Sequence, residues 1–159
     1  MNTKAQSPLD FFYIMGIVFM VTIAVLAAYI IIDTTSNINI FQEDAQASAN
    51  IQKSKESILN MDNAMLFIIC GLSLFVIVSA AMVNNHPAYL VVGLILLGIA
   101  LMFAAIMSNT FWTFIQDSNI MSAANNFPKI KFLMNNLPFY ILFMGIASSI
   151  SGYVGYQKL

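Results

Sequence analysis

A chain of 159 residues that is 60% hydrophobic and only 8% charged cannot clothe a globule in water, because an ordinary soluble domain carries about 25% charged residues. Its six lysines and seven acids, with no arginine, sit in the termini and connecting stretches, so the exterior has to be largely lipid-facing. That balance excludes a soluble domain and gives no basic surface for nucleic acid.

The first apolar run, Phe11 to Ile32, lies within "SPLDFFYIMGIVFMVTIAVLAAYIIID", where no charge separates Asp10 from Asp33. A secretory signal has a basic start and about 7–15 apolar residues. Here a lone Lys4 precedes 22 apolar residues, and "YIII" follows Ala27 and Ala28, so a retained membrane anchor is expected. The loop of residues 33–63 follows; from Gln42 onward it is helix-compatible and could lengthen the second helix beyond a bilayer. Ala64 to Val83 forms the second run. "NNHP", ending at Pro87, joins it to the third run, Ala88 to Met107, which continues through "SNTFWTFI" to Ile115. So short a link predicts a tight antiparallel hairpin as the rigid centre. In the loop of residues 116–136, Phe127, Ile130, Phe132, Leu133 and Met134 surround Lys129 and Lys131, a pattern expected of a segment lying in the membrane interface. Leu137 to Tyr156 is the fourth run.

At 1.5 Å per residue, about 20 residues cross a hydrocarbon core of about 30 Å. The expected fold is therefore an all-α integral membrane protein of one domain, residues 1–159, with four transmembrane helices running up-down-up-down. The aromatic residues with polar tips agree with alternation: Tyr13, Tyr89, Tyr153 and Tyr156 fall near one face, and Tyr29, Trp112 and Tyr140 near the other, as expected of interface anchors. Both termini then share a side. Lys53, Lys55, Lys129 and Lys131 on the loop face, against Lys4 and Lys158 on the terminal face, are too few and too spread to fix the orientation.

No motif carries chemistry. A nucleophile with its base, converging metal ligands and a glycine-rich phosphate loop are all missing from the sequence, so no enzyme activity, cofactor or small-molecule substrate is expected. His86 reads as a loop residue and Cys70 as apolar filler; the methionines, scattered over all four runs, read as packing rather than as a Cu(I) site. Gly145 with Ser149, and Ser148 with Gly152, have the small-xxx-small spacing that lets two helices approach closely. Ser148, Ser149 and Ser151 could alternatively line a pore among several copies.

The expected function is that of a non-catalytic structural subunit whose partners are the lipid bilayer and other membrane subunits or copies of itself. A multisubunit complex or the internal membrane of a virion would suit it. The alternative is a small oligomeric pore, holin-like in its effect. The absence of arginine, with 14 asparagines and abundant isoleucine, hints at an AT-rich microbial or viral genome.

Overall fold

The computed structural model describes residues 9–38, 44–82 and 87–157, with side chains described for residues 12–38, 44–80 and 91–154. Six helices follow one another: α1 (Leu9–Ser36), α2 (Ala45–Met82), α3 (Pro87–Phe114), α4 (Ser118–Asn125), α5 (Pro128–Asn135) and α6 (Leu137–Gln157). Among the described residues the fold is all-helical, and α1, α2, α3 and α6 are long and apolar enough to cross a membrane. These properties are compatible with a multi-pass membrane protein. "NNHP" apart from Pro87 lies outside the described residues, as do Lys4 and Lys158.

Local chemistry sets the helix ends. Asp44 caps α2, its Oδ1 accepting from the amides of Gln46 at 2.9 Å and Ala47 at 3.2 Å; the first turn is thereby satisfied nineteen residues before the apolar run begins at Ala64. At the other end of the first loop, the polar tail "DTTSN" closes α1. The Ser36 hydroxyl and the Asn37 amide both donate to the Asp33 carbonyl, at 2.6 and 2.9 Å, covering an oxygen that the helix leaves open. Asp117 caps α4 through the amide of Asn119 at 3.0 Å.

Buried stripes then join the elements. Met15, Val18, Thr22, Leu26 and Tyr29 form the inner face of α1; Met65, Ile69 and Val76 that of α2; Ala100, Ala104, Phe111 and Ile115 that of α3; and Leu137, Ile141 and Met144 that of α6. Spacings of three, four and seven residues put each set on one side of its helix. The outer sides are apolar too: Phe67, Phe75, Ile95, Met102, Phe139 and Phe143 are all exposed. A helix that is apolar all round suits lipid rather than water.

The main contacts are α6 with α2, α6 with α3, and α1 with α2. A rigid α2–α3 hairpin at the centre is not established by these contacts: among the described residues the element that ties α2 to α3 is α6. Contact depends on which faces fit, and α6 fits both neighbours.

Candidate functional site at the polar belt

At the end of the bundle where α2, α3 and α6 change from polar to apolar sequence, α4 and α5 form a collar. Phe127, between α4 and α5, is fully buried, and its ring meets Tyr29 of α1 edge to face with centroids 5.4 Å apart. Ala123 and Ala124 bring the C-terminal end of α4 into the same core. Lys55 lies over the Tyr29 ring, its Nζ 5.5 Å from the ring centroid and 2.6 Å from Asp33 Oδ1. The second half of α1 is thus sheathed by the collar and by the polar half of α2.

Asp62 fastens the collar. Phe127 at the N-cap of α5 has no side chain able to accept a hydrogen bond, and Pro128 follows it. The carboxylate arrives instead from α2: Asp62 Oδ1 accepts from Ile130 N at 2.9 Å and Oδ2 from Lys129 N at 3.3 Å. One buried acid therefore satisfies two open amides and faces the positive end of the helix. Nearby, Lys129 Nζ donates to Asn63 Oδ1, and Lys131 Nζ donates to Asn125 Oδ1 at 2.7 Å. On α3, Ser108 donates to the Asn135 carbonyl at 3.1 Å.

Deeper in the apolar half, hydroxyls link helices. Tyr140 OH and Ser73 Oγ share a hydrogen bond, and Ser73 also donates to the Ile69 carbonyl at 2.6 Å. Ser151 donates to the Ile77 carbonyl at 2.9 Å.

The residues singled out from sequence take different places. A Cβ added to Gly145 would run into the tip of the Leu97 side chain of α3, which would have to shift, so α6 and α3 pack closely there. At Gly152 the nearest atom would be the Ala80 carbonyl oxygen of α2, 3.6 Å away, an ordinary contact. Ser149 donates back to the Gly145 carbonyl at 2.8 Å, and Ser148 Oγ is buried without a partner. Tyr13, Trp112 and Tyr153 are exposed; the side chains of Tyr89 and Tyr156 lie outside those described. Of the other two expected anchors, Tyr29 is buried against Phe127 and Lys55, and Tyr140 is half-buried with its hydroxyl at Ser73. In the segment expected to lie in the interface, Phe127, Ile130 and Met134 turn into the bundle, while Phe132 turns out.

Sequence reasoning missed Asp62 and Thr22, the two buried polar side chains among the described residues. The acid next to the start of run two was a usable signal for Asp62, since Phe127-Pro128 lacks a cap of its own. Among the described residues no three His, Cys, Asp or Glu side chains group as metal ligands, and His86 lies outside them. An open apolar groove of about 520 Å³ runs along Phe12, Tyr13, Gly16, Ile17, Met20 and Val21 of α1, a surface suited to an acyl chain.

Comparison with protein-family models, with curated proteins and with solved structures finds no significant match to this chain.

Proposed function

We propose that this chain is a non-catalytic, multi-pass structural subunit of a larger membrane assembly, its four long helices crossing the bilayer in alternating directions. The pairings support the alternation. Phe12 lies by Phe103 of α3 and Tyr29 by Phe127 in the collar beyond the end of α3, so α1 runs with α3; Leu97 lies by Gly145 and Ser108 by Asn135, so α3 and α6 run oppositely; Asp62, Ser73 and Ile77 meet Ile130, Tyr140 and Ser151 in that order, so α2 runs with α6. Four alternating spans leave both termini on one side.

The observation that carries the structural reading is the use made of hydroxyls. Tyr140 with Ser73, and Ser151 with the Ile77 carbonyl, bond across helices, which is how polar side chains join helices in lipid, and Ser149 bonds back to its own helix at the Gly145 carbonyl. A conduit needs such groups turned toward water. The purified protein in liposomes is therefore expected to hold an ion gradient, and in mild detergent it is expected to migrate within a larger complex. Steady conductance that changes when Ser148, Ser149 and Ser151 become Ala would replace this reading with the pore.

A further inference from the structure

Three helices change character at one level. Asn63 precedes the apolar run of α2, Asn136 precedes that of α6, and Ser108 opens the polar end of α3. Hydrogen bonds tie that level to α5: Asp62 to the amides of Lys129 and Ile130, and Ser108 to the Asn135 carbonyl. Helix α5 therefore lies at the boundary between apolar and polar protein, and it presents an unusual face there. Phe132 is 70% exposed although Ile130 and Met134, on the same two turns, are buried. Lys129 and Lys131 flank it. Both ammonium groups rest on neutral amide oxygens, of Asn63 and Asn125, whereas the one ion pair among the described residues joins Lys55 to Asp33. Asp62 beneath them is 6% exposed and its oxygens are spent on backbone amides.

We propose that α5 is a lipid-docking helix, with Phe132 seated in the acyl margin of the bilayer and Lys129 and Lys131 binding the phosphates of phospholipid headgroups, anionic headgroups above neutral ones. An exposed aromatic ring between two cations that lack an acidic partner matches a layer with hydrocarbon below and phosphate above. The lysines need not move to serve it, because Asn63 and Asn125 already hold their ammonium groups at the polar margin. This role rests on the multi-pass membrane reading.

The test uses the full-length protein in liposomes, with Trp112→Phe as background and a single new tryptophan. Phe132→Trp is expected to be quenched by lipids brominated near the headgroup end of the chain more than by lipids brominated near its terminal methyl, and only weakly by acrylamide in the water. Strong acrylamide quenching without bromolipid quenching would overturn the proposal and leave the face to a protein partner. Ile99→Trp, about 14 Å further along α3 than Ser108, separates the two failures: quenching there by the deeper bromine with none at residue 132 sinks lipid docking alone, whereas no lipid quenching at residue 99 sinks the membrane reading itself. The second arm is headgroup preference. Lys129→Gln with Lys131→Gln should lower the ratio of spin-labelled phosphatidylglycerol to phosphatidylcholine held at the protein, by about five-fold for each lysine effective at the surface; an unchanged ratio rejects phosphate binding.

Discussion

Where α6 meets α2 and α3, contact is made by Gly145 against Leu97 and by single hydroxyls reaching across, Tyr140 to Ser73 and Ser151 to the Ile77 carbonyl. Where the collar meets α1 and α2, it is made by a buried aromatic pair, a carboxylate serving two amides and a lysine laid over a tyrosine. The difference follows from the solvent each region faces under the proposed membrane reading. Lipid is as apolar as leucine, so burying another leucine gains little and close approach has to do the work. Beside water, burial of apolar surface stabilises at about 25 cal/mol per Å², and a large ring becomes the natural anchor.

The sharpest way to break that comparison is Phe127→Ala. Phe127 is fully buried between α4, α5 and Tyr29, and loss of such a ring costs about 3–5 kcal/mol. The collar should open while the long helices persist, read as fast amide exchange over α4 and α5 with little loss of helical circular dichroism. Uniform exchange over the whole chain would mean that collar and bundle are one cooperative unit.

Asp62→Ala comes next. It strands the amides of Lys129 and Ile130, and a lost bond to a charged group costs about 1.5–3 kcal/mol. Exchange should rise first at the start of α5, and Asp62→Asn, which keeps one acceptor, should lose less. Equal effects of Ala and Asn would assign the contribution to charge rather than to the two hydrogen bonds.

These two residues also mark where sequence reading stops. The four long helices are legible because run length and hydropathy are local: α1, α3 and α6 cover their runs, and the helical extension expected from Gln42 begins at Ala45. Which faces meet is not local. A helix that is apolar all round carries no amphipathic signal to say which side is inside, so the insertion of α6 against both α2 and α3 was invisible. The packing of Tyr29 was out of reach for a related reason. Near the end of an apolar run a tyrosine suits a lipid boundary and a protein interior equally well, and its partner Phe127 lies 98 residues further along. Asp62 reads as an ordinary acid beside a span until α5, more than 60 residues later, is brought to it.

Within the apolar half, the stripe on α6 separates into two unequal positions. Gly145→Ala should force Leu97 aside and cost about 1–3 kcal/mol, whereas Gly152→Ala meets only ordinary contact and Val92→Leu adds bulk to an exposed site on α3. The stability order in detergent should be Val92→Leu, then Gly152→Ala, with Gly145→Ala lowest. Leu97→Ala combined with Gly145→Ala should recover part of the loss, since the clash is with the leucine tip. Absence of that coupling would show that the two helices sit further apart than the glycine requires.

The smallest effect expected distinguishes the two regions by salt rather than by size. Tyr140→Phe removes the hydroxyl shared with Ser73, but Ser73 keeps its bond to the Ile69 carbonyl, so nothing is stranded and the loss should be about 0.6 kcal/mol, the average for such bonds between membrane helices. Lys55→Gln removes an ion pair whose side chains are 27% and 45% exposed, worth about 0.2–1 kcal/mol. At low salt the two variants should be hard to tell apart in thermal unfolding. Raising ionic strength to about 1 M shortens the screening length to about 3 Å, which should erase most of the Lys55→Gln deficit, by weakening the wild-type pair, and leave the Tyr140→Phe deficit where it was. If both deficits respond to salt alike, Tyr140 lies within reach of water, and the division between a lipid-facing half and a water-facing collar is misplaced by about one turn of α6.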